Sequence, residues 1–240
     1  MKSFHDNNEL SVTQYTDSYT SSTLMRHVFL WMAAALGISA VTAWLFAASN
    51  LTRLLFTENG LGLFGYIVML CPLLMVIAMS WGLEKMSTGT LGILFILYSI
   101  LMGISLSFIF LAYSSSTIVT CFVISAGMFA AMAIAGAVTQ MDLSKFGSIL
   151  LMALVGLVIA SLANLFMHSS RMDWIISIVG VLVFSGLTAY DVNSIKRMGY
   201  YIDEGSETAS KISIYCALSL YLDFINLFLY ILRIFSRSER

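Results

Sequence analysis

The chain has 240 residues, of which 59% are apolar and only 10% are charged. A soluble domain carries about 45–50% apolar and about 25% charged residues, so this composition excludes a soluble globular protein, and its high hydropathy and low charge exclude a disordered chain. With 12 basic and 13 acidic residues, the charge balance gives no support for a nucleic-acid partner.

Seven runs with little or no charge are each long enough to cross a membrane as a helix. A hydrocarbon core about 30 Å thick requires roughly 20 helical residues. In chain order, the predicted spans are residues 28–49, 61–82, 91–113, 118–138, 146–167, 174–198 and 212–232. The sequence therefore predicts an all-α integral membrane protein with seven transmembrane helices, whose first partner is the lipid bilayer.

These spans form one predicted membrane domain, residues 26–235. Residues 1–25 are rich in Ser, Thr, Asn and Asp and are predicted to be a flexible polar tail, and residues 236–240 a short basic tail. Because the first apolar run begins late and has full length, we expect it to remain as a span. Gly127, Ala131 and Ala135 repeat every four residues on the fourth span, which is typical of close helix contact.

The basic residues outside the spans favour a cytoplasmic N-terminus. Seven lie on the side of the N-terminus and five on the opposite side, if the last run is a full span and not a re-entrant hairpin. The seven are Lys2, Arg26, Lys85, Lys145, Lys196, Arg197 and Lys211, and the five are Arg53, Arg171, Arg233, Arg237 and Arg240.

Asp223 lies near the middle of the seventh span, where a charge is costly. Insertion scales assign about 2.5–3.5 kcal/mol to such a residue, and intramembrane carboxylates mark proton or ion pathways. Polar side chains accompany it every three or four positions, so they form one stripe that we expect to face the bundle interior. The stripe consists of Cys216, Ser219, Asp223, Asn226 and Tyr230.

A second polar stripe, near the end of the sixth span, contains Asp191. It consists of Ser185, Thr188, Asp191 and Ser194. At about 1.5 Å per residue, Asp191 lies roughly 8–13 Å inside the end of its helix and Asp223 about 16 Å inside the seventh. These depths would let the two carboxylates meet, with the other residues of the two stripes as supporting polar groups.

If the two carboxylates meet, desolvation and like charge disfavour the doubly ionised pair, which would then hold one shared proton near neutral pH. The protonated pair would hold the two helices together, whereas its deprotonation would admit a cation such as calcium, which prefers carboxylate oxygens. Two structural alternatives stay open: Asp191 as a helix-end residue solvated at the interface, and Asp223 as a neutral structural carboxyl hydrogen-bonded to Ser219 or to a neighbouring helix.

The sequence contains no sign of a resident cofactor or a catalytic motif. His27 and His168 lie at span ends without metal-ligand spacing, and there is no phosphate loop, nucleophile elbow or zinc motif. Intramembrane aspartyl proteases also carry two aspartates on neighbouring helices. Here, however, the residues before Asp223 lack glycine, and Pro72 is the only proline. We therefore predict a non-enzyme without a cofactor and keep the protease as a further alternative.

Both stripes resemble the Bax inhibitor-1 family of membrane proteins. The most specific matches are Gly186 to Asp191 (GLTAYD) and Ala217 to Phe228 (ALSLYLDFINLF). The similarity extends from about Arg26 to Arg233, which is nearly the whole chain.

The resemblance implies a seven-helix bundle whose last helix is enclosed by the other six. It also implies a pH-sensitive calcium leak gated by an acidic pair, here Asp191 and Asp223, which would contact calcium transiently. Other members of the family look like regulators, either of cell death or of a membrane-bound quality-control protease, and this is the alternative function. The short loops resemble those of bacterial inner-membrane members. The family's basic residue in the second span, which latches onto the acidic pair, has no counterpart between Leu61 and Gly82.

Overall fold

The computed structural model describes the backbone of residues 3–49, 51, 55–57, 60–82, 85–202 and 205–238. Within these ranges the chain forms eight helices and one antiparallel pair of two-residue strands. In order they are α1 (Ser3–Ala48), β1 (Phe56–Thr57), β2 (Gly60–Leu61), α2 (Leu63–Gly82), α3 (Thr88–Leu106), α4 (Ile109–Ala112), α5 (Ser115–Val138), α6 (Ser144–Met167), α7 (Ser170–Met198) and α8 (Glu207–Ser238).

Seven stretches of the described helices are long and apolar enough to cross a membrane. They are Ser22–Ala48, Gly65–Gly82, Thr88–Ala112, Ser115–Val138, Ser144–Met167, Ser170–Met198 and Glu207–Phe235. The prediction of an all-α, seven-span membrane protein is thereby confirmed. The third span combines α3 and α4, which are separated where the Ser107 hydroxyl donates a 2.6 Å hydrogen bond to the Ile104 carbonyl oxygen.

The segment predicted to be a polar tail has a helical backbone from Ser3 onward. α1 begins at Ser3 and runs without a break into the first span. Residues 3–25 contain neither Pro nor Gly, so a helix nucleated in the apolar span can propagate through them. At the other end of the chain, α8 likewise continues to Ser238, inside the predicted basic tail.

α8 is the central helix of the bundle and packs against α1, α3, α5 and α7. In its apolar stretch 67% of the residues are buried, against 6% in α6, which packs mainly on α7 at the periphery. The prediction of a central last helix is confirmed. Because α8 is one continuous helix of 32 residues, its length fits a full span and not a re-entrant hairpin.

The small-residue ridge of α5 points away from the other helices, contrary to the prediction of close contact. Gly127, Ala131 and Ala135 are exposed, and a Cβ built on Gly127 would meet nothing within 4 Å. α5 instead meets α7 at Gly136, where a Cβ would lie 3.0 Å from the Ala189 Cα and closer still to its carbonyl oxygen. Composition could not distinguish these faces, because lipid-facing and packed faces of membrane helices are both apolar.

Candidate functional site

The two predicted carboxylates lie on neighbouring helices, Asp191 on α7 and Asp223 on α8. Asp223 is 5% exposed, and Asp191 is half-buried. The hydroxyl of Ser219, one turn before Asp223, donates a 2.5 Å hydrogen bond to Asp191 Oδ2. Because Ser219 and Asp223 are four residues apart, they lie on the same face of α8, and this face meets α7 at Asp191. The packing of α7 against α8 therefore brings both acids and Ser219 into one site.

Two polar atoms of this part of the bundle are buried without a hydrogen-bond partner among the described residues. They are Asp223 Oδ2 and the hydroxyl oxygen of Ser185, which lies on α7. Burying a polar atom without a partner costs free energy. A proton or a cation would therefore be stabilising at this place between the two helices.

Thr188 and Asn226, two other residues of the stripes, bond within their own helices. The Thr188 hydroxyl donates to the Phe184 carbonyl oxygen at 2.8 Å, and Asn226 Nδ2 donates to the Leu222 carbonyl oxygen at 2.8 Å. Cys216 is buried near the charge of Asp191. Ser219 is thus the residue whose hydroxyl bridges the stripes, and Tyr230 packs its ring against α7.

The end of α7 that carries Asp191 is anchored to the end of α5. Asn193 Nδ2 donates to the Gly136 carbonyl oxygen at 3.2 Å, and Lys196 Nζ donates to that of Ala137 at 2.7 Å. The carbonyls of a last helical turn lack partners within the helix, so these two side chains cap α5. This role was not predicted from the sequence, although Asn193 and Lys196 are spaced for one face of a helix.

An exposed carboxylate, Asp142, reinforces this anchor from the loop between α5 and α6. It forms an ion pair with Arg197 of α7 and accepts a 2.9 Å hydrogen bond from the Ser144 backbone N–H. Hydrogen bonds from Ser144, followed by the charge of Arg197, hold the pKa of Asp142 below its ordinary value. Asp142 is therefore ionised at neutral pH, which makes it a useful reference for the buried acids.

No group of three or more His, Cys, Asp or Glu side chains in the described part of the chain could hold a metal ion. The side-chain oxygens that α7 and α8 bring together are those of Asp191 and Ser219, with Asp223 one turn further along α8. Oxygen ligands suit a hard cation such as calcium.

The comparisons with known proteins cover nearly the whole chain. The profile of a family described as "Inhibitor of apoptosis-promoting Bax1" matches residues 21–240. The inner membrane protein YbhL of Escherichia coli K12 is 45% identical over 218 residues, which make up 90% of this chain and 92% of YbhL. A protein of Borreliella burgdorferi is 43% identical over 86% of this chain and 88% of its own length. A membrane protein of Streptococcus pyogenes serotype M6 is 37% identical over 88% of this chain and 91% of its own. The predicted family is confirmed, and the chain belongs to the Bax inhibitor-1 family of integral membrane proteins.

Proposed function

We propose that this protein is a passive, pH-sensitive cation leak with calcium as the permeant ion, gated by a proton that Asp191 and Asp223 share. The observation that carries the proposal is the buried Asp223 Oδ2, which has no hydrogen-bond partner among the described residues and lies near a second carboxylate. Its activity would be transport and not catalysis, and it would need no cofactor.

The gate works through the charge of the acidic pair. With one proton shared, a hydrogen bond can link the carboxyl groups and hold α7 against α8. When that proton leaves, two like charges repel each other in a poorly solvated interior. Separation of the helices or entry of a calcium ion relieves this repulsion, since calcium takes carboxylate oxygens. Calcium flux should therefore rise with pH.

Calcium flux into proteoliposomes tests this proposal with the native protein, Asp191→Asn and Asp223→Asn between about pH 6 and pH 8. Asparagine is neutral, like a protonated acid, so both variants should show low flux that does not change with pH. Asp142→Asn is the matched control, because the low pKa of Asp142 keeps it ionised across this range. Its flux should depend on pH as that of the native protein does, because the exposed ion pair of Asp142 with Arg197 contributes little to the packing of α7.

Two results would contradict the proposal. If Asp191→Asn and Asp223→Asn keep the native flux profile, the acidic pair is not the gate. If folded native protein passes no calcium at any pH, the leak itself is refuted. The regulatory alternative would then predict co-purification with a membrane-bound partner, such as a quality-control protease.

We further propose an inner-membrane location with a cytoplasmic N-terminus. The location is supported by the relative YbhL, which is described as an inner membrane protein, and the orientation by the seven-to-five distribution of basic residues. With seven spans, the C-terminus would face the periplasm. An alkaline phosphatase fused there should be active, and an inactive phosphatase with a fluorescent C-terminal GFP fusion would contradict this orientation.

A further inference from the structure

A polar cavity of about 850 Å³ lies on the side of the bundle where α8 ends. We call it the C-side cavity, and its lining includes Asn164 and Ser161 of α6, Asp173 and Ser177 of α7, and Arg233 of α8. A cation that leaves this cavity for Asp223 must pass along α8, since Arg233 and Asp223 are separated by about 15 Å of helix rise.

Along α8, Tyr230 lies between Asp223 and Arg233, which lines the C-side cavity. The Tyr230 ring fills a slot on α7 left open by Gly180, where a Cβ would lie 2.7 Å from two ring carbons. The same ring stacks on Phe184, with centroids 5.8 Å apart and an interplanar angle of 26°. A Cβ at position 180 would overlap this ring, so the ring packs directly against the α7 backbone at Gly180.

Arg233 holds the outer face of this ring. Its guanidinium carbon lies 5.6 Å from the Tyr230 ring centroid, and its Nη1 lies 3.3 Å from Asp173 Oδ1. Both members of the ion pair are partly exposed, where ion pairs and cation–π contacts are weak. The contacts therefore keep the ring in place without preventing it from moving.

We propose that Tyr230 is the permeation barrier between the C-side cavity and Asp223. Gly180 and Phe184 form the surface on which its ring packs, and Arg233 holds the ring from the other side. The inference rests on the proposed cation leak, and it assigns a barrier that is separate from the proton-sharing acids. Arg233 thereby supplies a basic closing contact, whereas the second span contains no basic residue between Leu61 and Gly82.

Thiol labelling tests the barrier without any measurement of ion flux. The reporter is Asn226→Cys, one turn from Tyr230 on the side of Asp223, in protein whose three native cysteines are replaced by Ser. The protein is held in lipid nanodiscs and treated with a charged, membrane-impermeant methanethiosulfonate. Ser161→Cys, on the wall of the cavity, is labelled in parallel and should react quickly.

With Tyr230 in place, the reporter should react slowly. Tyr230→Ala should speed its labelling roughly tenfold or more, because local opening no longer limits access. Tyr230→Phe keeps the ring and should leave the rate unchanged. The matched control is Tyr215→Ala, which removes a ring of α8 that is 40% exposed and should also have no effect.

Equal labelling rates with Tyr230→Ala and native Tyr230 would overturn the proposal, as would fast labelling with Tyr230 present or slow labelling of Ser161→Cys. If Tyr230→Ala fails to fold, Arg233→Gln tests the proposal in its place. Loss of the Arg233 contacts should also raise the labelling rate of the reporter, and an unchanged rate would overturn the proposal. If the labelling rates behave as expected but the native protein passes no calcium, the leak alone is refuted. If the native protein passes calcium but the labelling rate of the reporter does not depend on Tyr230, the barrier alone is refuted.

Discussion

Gly136→Ala should loosen the contact between α5 and α7 that positions the acidic site. The new Cβ would lie 3.0 Å from the Ala189 Cα and carbonyl carbon, and closer to its carbonyl oxygen. These are backbone atoms of α7, so a change of rotamer cannot relieve the overlap. The two helices must move apart by at least the 0.4 Å that separates 3.0 Å from the ordinary contact distance of 3.4 Å.

The expected magnitude follows from two opposing effects. Overpacking of a well-packed contact costs about 1–3 kcal/mol, whereas replacing Gly by Ala inside a helix gains about 0.5–1 kcal/mol. Because the overlap is with backbone atoms, the upper part of the first range applies, about 2–3 kcal/mol, and the free energy of unfolding should fall by about 1–2.5 kcal/mol. Because Ala189 precedes Asp191 by two residues, the shift of α7 should also change the pH profile of calcium flux.

Reversible unfolding in SDS mixed micelles measures this difference against Gly127→Ala. Gly127 lies on the same helix, but its added Cβ would meet nothing within 4 Å, so this control should be neutral or gain up to about 1 kcal/mol. Equal effects of the two substitutions, or a Gly136→Ala protein as stable as native, would refute the assigned contact.

Three further substitutions distinguish residues that affect the pH dependence of flux from residues that affect only stability. Ser219→Ala removes the 2.5 Å hydrogen bond to Asp191, so it should destabilise the protein by about 1–3 kcal/mol and shift the flux profile along the pH axis; an unchanged profile would contradict its role. Tyr221→Phe loses the 2.7 Å hydrogen bond with the Ser39 hydroxyl, which should lower unfolding free energy by about 0.5–1.5 kcal/mol without changing the pH dependence; a changed dependence would contradict this assignment. Arg197→Gln removes an ion pair whose side chains are 46% and 49% exposed, so the free energy of unfolding should fall by less than about 1 kcal/mol. A larger fall in SDS unfolding would show that this ion pair matters more than its exposure implies.

The spans and the two carboxylates could be predicted from the sequence because a single quantity decides each of them. Charge-free length determines a span, and the cost of a charge in lipid singles out Asp223. The partners of the stripe residues could not be predicted in this way. The Thr188 and Asn226 side chains bond to their own helices, whereas Ser219 reaches Asp191 because of how α7 crosses α8.

Two further features depend on tertiary packing and leave only a weak trace in the sequence. Gly180 is one glycine among 16, and its importance appears only when the Tyr230 ring is seen against it. The cap that Lys196 provides for α5 requires the ends of two helices that lie 59 positions apart in sequence to meet. Helical periodicity describes one helix at a time and therefore cannot supply these pairings.

Infrared difference spectroscopy between about pH 6 and pH 8 tests the shared proton most directly, because an ordinary Asp, with a pKa of about 3.9, is already ionised over this range. The native protein should lose one carboxylic-acid band as the pH rises. Asp142→Asn should retain that change, and the double variant Asp191→Asn/Asp223→Asn should abolish it. A native spectrum without a titrating carboxylic acid, or a band change that persists in the double variant, would contradict a gate formed by Asp191 and Asp223.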